Sequence, residues 1–176
     1  MPESSGAIEV RRRWSGDLDG CVAALAGVHE ADGYPVDWPA DPARWLVESD
    51  QLASWVAVSA TGGIVGHVAL GRGTGSSAGE VWARRAGREA AEAGAVGRLY
   101  VAPLARGRGL GERLLASAVG QAHAWGLHPV LDVVTSGAAA VALYQRLGWE
   151  LMLTVDQIWP NGSVVAVHCF AGAEGA

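Results

Sequence analysis

The sequence predicts a mixed α/β domain in which seven strands are interleaved with five helices over 176 residues. Three observations predict it. Apolar runs of strand length recur along the chain, and amphipathic stretches with helical spacing lie between them. One strand passes through a glycine-rich turn straight into a helix. The length suits a single domain, 1–176, with a sizeable core.

Ile8–Arg12 reads as the first strand. Asp17 or Asp19 caps a helix through about His29, with Leu18, Val22, Leu25 and Val28 on one face. Asp32–Pro39 holds too much proline for a helix or a central strand, so it is a loop. Asp41-Pro42 then opens a short helix carrying Arg44, Trp45 and Leu46, with proline at the first helical position. Trp55–Ser59 and Ile64–Leu70 flank Thr61-Gly62-Gly63 as a hairpin. Gly71–Ala78 is a Gly/Ser-rich loop, and Glu80–Glu92 has the spacing and charge of a solvated helix.

The strand containing Val96, Leu99, Tyr100 and Val101 stops before Pro103. A helix from about Arg108 to Trp125 follows, with Leu110, Leu114, Leu115, Ala118, Ala122 and Trp125 as its buried stripe and Gly126 as its C-terminal cap. Val130–Val134 is a strand. Ser136 caps a helix that ends near Leu147, with Gly148 behind it. Leu151–Val155 and Val164–Phe170 pair as a last hairpin across Asn161-Gly162.

Composition narrows the function classes. Half of the residues are hydrophobic and 18% are charged, which is a globular balance. No apolar run approaches the ~18 residues of a membrane span, and Arg11-Arg12-Arg13 has no apolar signal core behind it, so a cytoplasmic chain is expected. A net charge of −5 argues against a broad nucleic-acid surface and suits a cationic substrate. Two cysteines far apart and five scattered histidines give neither a disulfide scaffold nor a metal site. All thirteen basic residues are arginine, which suggests a GC-rich bacterial genome.

The chemistry concentrates in Val96–Glu112. A strand, a glycine-rich turn and a helix N-terminus converge unpaired N–H groups on one spot. The helix dipole adds positive charge, and glycines let a phosphate reach the main chain. A Walker A loop would need a lysine, and the chain has none. A dinucleotide fingerprint would need a third glycine where Glu112 stands. The turn Arg106-Gly107-Arg108-Gly109-Leu110-Gly111, after Leu99-Tyr100-Val101-Ala102-Pro103, instead resembles the acyl-CoA loop [Q/R]-x-x-G-x-[G/A] of the GCN5-related N-acetyltransferase (GNAT) superfamily. The run Ala139–Trp149, with Leu143-Tyr144 and Gly148-Trp149, is similar to that family's A-x-x-L-Y-x-x-x-G-[FW] signature.

The resemblance implies a mostly antiparallel seven-stranded sheet with helices on both faces, one helix having been added before the cofactor strand. It implies acetyl-CoA as cofactor. Main-chain groups of the Leu99-Tyr100-Val101 strand, through Leu99 and Val101, would pair with pantetheine. The amides from Gly107 through Leu110 to Gly111 would hold the pyrophosphate, with Arg106 and Arg108 adding charge-assisted contacts. Tyr144 matches the tyrosine that protonates the departing thiolate. Gly137 stands where the family often has Asn.

The general base is left open. Ala95 occupies the position where histone-modifying members carry Glu, so Glu92, Glu80, His67 or water are the alternatives. The expected reaction is direct attack by the amine of a small molecule or peptide, with Asp32–Trp38, Trp45 and Trp159 near the acceptor. A non-catalytic acyl-CoA-binding module on the same fold is the competing reading, and a homodimer stays open.

Overall fold

The computed structural model describes residues 6–175. In chain order the elements are β1 (Glu9–Arg12), α1 (Leu18–Asp32), α2 (Pro42–Leu46), β2 (Gln51–Val58), β3 (Ile64–Arg72), α3 (Ser77–Ala86), β4 (Ala93–Val101), α4 (Leu110–Ala124), β5 (His128–Val134), α5 (Ala138–Arg146), β6 (Glu150–Ile158) and β7 (Val164–Ala171). The strands form one seven-stranded sheet in the order β1-β2-β3-β4-β5-β7-β6. β4 and β5 are parallel, from Ala93 with His128 to Val96 with Leu131. The β1–β2, β5–β7 and β6–β7 ladders are antiparallel. Residue contacts divide the chain into two compact units, Met1–Ala69 with Arg98–Ala118, and Leu70–Gly97 with Val119–Ala176.

In the first unit, Cys21, Ala24, Leu25 and Val28 of α1 bury against Leu46, Val56 and Tyr100. Val56 faces that core, whereas its neighbour Ala57 faces the other way. A Cβ on Gly66 would lie 3.3 Å from Ala57 and 2.9 Å from Leu114 of α4, so β2 is covered on both faces. In the second unit, Ala78 and Val81 of α3 pack on Ala93, Val130 and Cys169.

Several boundaries differ from the sequence reading. β2 begins at Gln51 because Gln51 accepts from Arg13 and donates to the Leu46 carbonyl, and the Ser54 carbonyl accepts the Arg13 N–H. α3 runs from Ser77 to Ala86, not from Glu80 to Glu92. Ser76 caps it by accepting the Gly79 N–H at 3.2 Å, and Gly87 ends it in a left-handed conformation.

β4 starts at Ala93. The side chain of Asp17 does not cap α1, because it takes the Arg11 guanidinium and the Trp14 N–H. Gly137, without a side-chain cap, precedes α5 in place of Ser136. Trp125 lies beyond the last turn of α4 and is 46% exposed, so it is not part of the buried stripe.

Candidate functional site

β4 leads through a single 3-10 turn, Pro103–Ala105, into the glycine turn and α4. Leu99 and Val101 are half-buried, and Arg106 to Gly109 are exposed. Gly107 and Gly109 have φ of +77° and +69°, a conformation that costs side-chain-bearing residues about 1–2 kcal/mol. A Cβ at either position would meet nothing within 4 Å, so the space beside the turn is open. The Arg113 N–H returns to the Gly109 carbonyl at 3.1 Å. Gly109 therefore stands where a capping residue belongs and brings no side-chain acceptor for the first-turn N–H groups. These residues fit a pyrophosphate.

Arg108 has no ion pair among the described residues. Arg106 is engaged by Asp32, and its Nε donates to the Val101 carbonyl at 3.2 Å. The Tyr100 side chain belongs to the core. Its hydroxyl donates to the Cys21 carbonyl at 2.8 Å, and burial pushes its pKa far up.

Two residues ahead, Arg98 is the one described non-glycine residue with a positive φ, +52°. Four contacts hold it there. Its guanidinium lies 3.8 Å over the Trp45 ring, its Nε donates to the Trp45 carbonyl at 3.3 Å, and it pairs with Glu48. Its own carbonyl lies 2.9 Å from Nδ1 of His67. Sequence reading missed this residue. Gly97 beside it is the one local signal of an irregular strand.

His67 is fully buried, stacked on Tyr100 at 5.4 Å between ring centres, with Nε2 2.9 Å from Arg13 Nη1. A guanidinium only donates and a carbonyl only accepts, so Nδ1 carries the proton and the Nε2 lone pair faces Arg13. Burial first, then the Arg13 charge, lowers its pKa from 6.5 to about 4 against the opposing pull of the Arg98 carbonyl.

The aspartates and aromatics after α1 are mostly committed locally. Asp41 accepts the Arg44 N–H at 3.0 Å and caps α2, as its position before Pro42 predicted. Trp45 meets Tyr34 edge-on at 6.2 Å, and Trp38 packs on His29 at 5.2 Å. Burial raises the Tyr34 hydroxyl to about 12.

In the second unit, Tyr144 of α5 is buried, with Trp149 and Phe170 at 5.9 and 6.0 Å between ring centres. Trp159 donates Nε1–H to Gln157 at 3.1 Å. Ala95 packs against the second core. Glu92 accepts from the Arg88 guanidinium and from the Glu89 N–H, which together hold its carboxyl at about 2. Glu80 is exposed in the first turn of α3.

Asp132 on β5, also missed in the sequence, accepts from the Ser76 hydroxyl and the Ser77 and Ala78 N–H groups at 3.1, 3.0 and 2.7 Å. Burial raises both thiols, Cys21 to about 11 and Cys169 to about 12.

The strand β4, a turn left-handed at Gly107 and Gly109 and the start of α4 follow one another on a mixed seven-stranded sheet, the arrangement that the resemblance to the acyl-CoA transferase class implies. The family model described as Acetyltransferase (GNAT) family matches residues 13–149, and the chain belongs to that family. Acetyl-CoA is its cofactor.

A 61-residue stretch is 39% identical to the L-methionine sulfoximine/L-methionine sulfone acetyltransferases of Pseudomonas paraeruginosa and Pseudomonas aeruginosa. It covers 34% of this chain and 36% of each of those proteins. Among solved structures, Arabidopsis thaliana NAA60 in complex with acetyl-CoA aligns with a TM-score of 0.70 at 17% identity, covering 94% of this chain and 98% of that one. The ribosomal-protein-S18-alanine N-acetyltransferase of Escherichia coli aligns at 0.67 and 16%, covering 97% and 96%. A GCN5-related N-acetyltransferase from Kribbella flavida aligns at 0.66 and 22%, covering 94% and 97%. At these identities the three structures speak for the fold.

Proposed function

We propose that this chain is an acetyl-CoA-dependent N-acetyltransferase that passes the acetyl group directly to the primary amine of a small molecule or peptide. The observation that carries the reading is the turn Gly107–Gly109, left-handed at both glycines and open beside them, at the start of α4. The family model runs through residues of both compact units, which supports reading 1–176 as one transferase domain.

The amides from Gly107 to Gly111 hold the pyrophosphate, with Arg108 adding charge, and the main chain at Leu99 and Val101 holds the pantetheine arm. When bound, the cofactor supplies a thioester whose carbonyl carbon an amine attacks. The Tyr144 hydroxyl gives its proton to the departing sulfur. Direct transfer is supported by the thiols: both are buried and held in the neutral form, which makes them poor nucleophiles.

The acceptor amine must lose a proton, and two of the alternatives, Glu92 and His67, are unfavourable. Glu92 is held ionised by Arg88 and is too weak a base, and the His67 lone pair is taken by Arg13. Ala95 carries no base. That leaves water, or Glu80 exposed in the first turn of α3, to take the proton.

The test is acetyl-CoA turnover, read as thiol release, across a panel of amines. The panel contains methionine sulfoximine and methionine sulfone, named for the Pseudomonas relatives, and a peptide beginning with alanine. Release above the hydrolytic background with any primary amine supports the reading. Tight acetyl-CoA binding with no release across the panel favours a non-catalytic acyl-CoA-binding module.

A further inference from the structure

The contact between His67 on β3 and Arg98 on β4 joins a fully buried imidazole to the one non-glycine residue described with a left-handed backbone. A trans peptide carries its C=O and N–H in opposite directions within one plane. Drawing the Arg98 carbonyl onto Nδ1–H of His67 therefore turns the Leu99 N–H away from His67. The rest of the residue is fixed independently, by the Trp45 ring and carbonyl and by Glu48 on the guanidinium. His67 is in turn held by Arg13, whose guanidinium also donates to the Leu46 carbonyl and to Gln51 at 2.9 and 3.0 Å. The chain Arg13–His67–Arg98 thus sets one peptide plane.

We propose that His67 is a positioning residue for acetyl-CoA: by donating Nδ1–H to the Arg98 carbonyl it aims the Leu99 N–H at the pantetheine arm. The inference rests on the reading that β4 carries the cofactor. It also gives the buried imidazole a role other than proton transfer.

Two variants separate this contact from the general cost of disturbing a buried residue. His67→Asn places an amide N–H near the position of Nδ1 and keeps a donor for Arg98. His67→Gln places its carbonyl near Nε2, keeps an acceptor for Arg13 and leaves the Arg98 carbonyl without its donor. Both lose the ring stacked on Tyr100, so both lower Tm.

Acetyl-CoA binding by calorimetry distinguishes them. His67→Gln is expected to bind about ten-fold more weakly than wild type and His67→Asn within about two-fold, the effect of one hydrogen bond. KM for acetyl-CoA follows the same order, while KM for the amine does not. Equal affinities in the two variants would overturn the proposal.

A second measurement needs no variant. Nitrogen NMR of the wild type must place the His67 proton on Nδ1, and a ring protonated on Nε2 would also overturn it. The Leu99 amide resonance tests the reading underneath. If acetyl-CoA leaves it unshifted in wild type, the cofactor does not lie on β4. If it shifts in wild type and equally in His67→Gln, the placement of the cofactor stands and the role of His67 falls.

Discussion

Arg106, at the head of the glycine turn, is tied to Asp32 at the end of α1, and both side chains remain partly exposed, at 42% and 43%. An arginine offered to an anion therefore already has a carboxylate beside it. Exposed pairs of this kind contribute little to stability, because solvent and salt screen them. What the pair does is place a negative charge next to the turn that we propose receives the pyrophosphate.

Removing that charge is expected to help the cofactor. Asp32→Asn should tighten acetyl-CoA by about two- to five-fold at low ionic strength, with Tm nearly unchanged, and the gain should fade in high salt. Calorimetric titrations at two ionic strengths check it. Weaker binding by the variant would show that the pair braces the turn more than it competes with phosphate.

The turn itself is tested at Gly109. Its φ of +69° is costly for any side-chain-bearing residue, while the Cβ of Gly109→Val would meet nothing within 4 Å. Stability should fall by about 1–2 kcal/mol from backbone strain alone. Acetyl-CoA affinity should fall by more than about ten-fold, because the branched side chain fills the approach to the N–H groups. Denaturant melts and calorimetry separate the two effects. A folded variant with wild-type affinity would move the pyrophosphate elsewhere.

These glycines were legible in the sequence because their signal is local. Gly126 and Gly148 stand behind α4 and α5 with φ of +70° and +82°, and Asp41 caps α2 from just before a proline. The same holds for the strand–turn–helix order around Arg106–Gly111. Features set by distant partners were not legible. α3 begins at Ser77 because Asp132, fifty-five residues away in sequence, takes two N–H groups of its first turn. The irregularity at Arg98 is held by Trp45, Glu48 and His67, none adjacent to it in sequence. His67 was legible as a titratable residue, but its tautomer and neutrality depend on Arg13 and burial.

Tyr144→Phe tests the acid. The ring keeps its contacts with Trp149 and Phe170, so the fold should tolerate the change. kcat should drop by roughly ten- to a thousand-fold with acetyl-CoA affinity nearly intact, as befits a lost proton donor. Steady-state kinetics with a good amine acceptor decide it. An unchanged kcat would leave Tyr144 as a packing residue.

Glu92→Gln tests whether Glu92 is the base. Arg88 holds the carboxyl at about 2, so at neutral pH it is ionised and only weakly basic. A general base is worth about a hundred-fold or more, so kcat/KM should stay within about three-fold of wild type if Glu92 is not one. If water takes the proton, the rate should rise with pH until the acceptor amine itself deprotonates, without an earlier carboxylate limb. A large, pH-dependent loss with acetyl-CoA binding retained would make Glu92 the base.

The buried imidazole should also leave a mark on stability. In the folded chain His67 titrates at about 4, against 6.5 for a free imidazole, because burial and Arg13 disfavour its charged form. Between those values the unfolded chain holds the extra proton, so stability rises with pH there and falls on acidification. The contribution is complete above about 6.5 and gone near 4, and the gap converts to about 3 kcal/mol at most. His128, lowered by its own burial, tilts wild type and a His67 variant alike. Urea melts of wild type and His67→Asn over this range isolate the difference. The variant is less stable at neutral pH, and its deficit should shrink as pH falls towards 4, because an amide takes up no proton. Parallel stability curves would mean that His67 takes up its proton as readily in the folded chain as in the unfolded one, against the lowering by burial and Arg13.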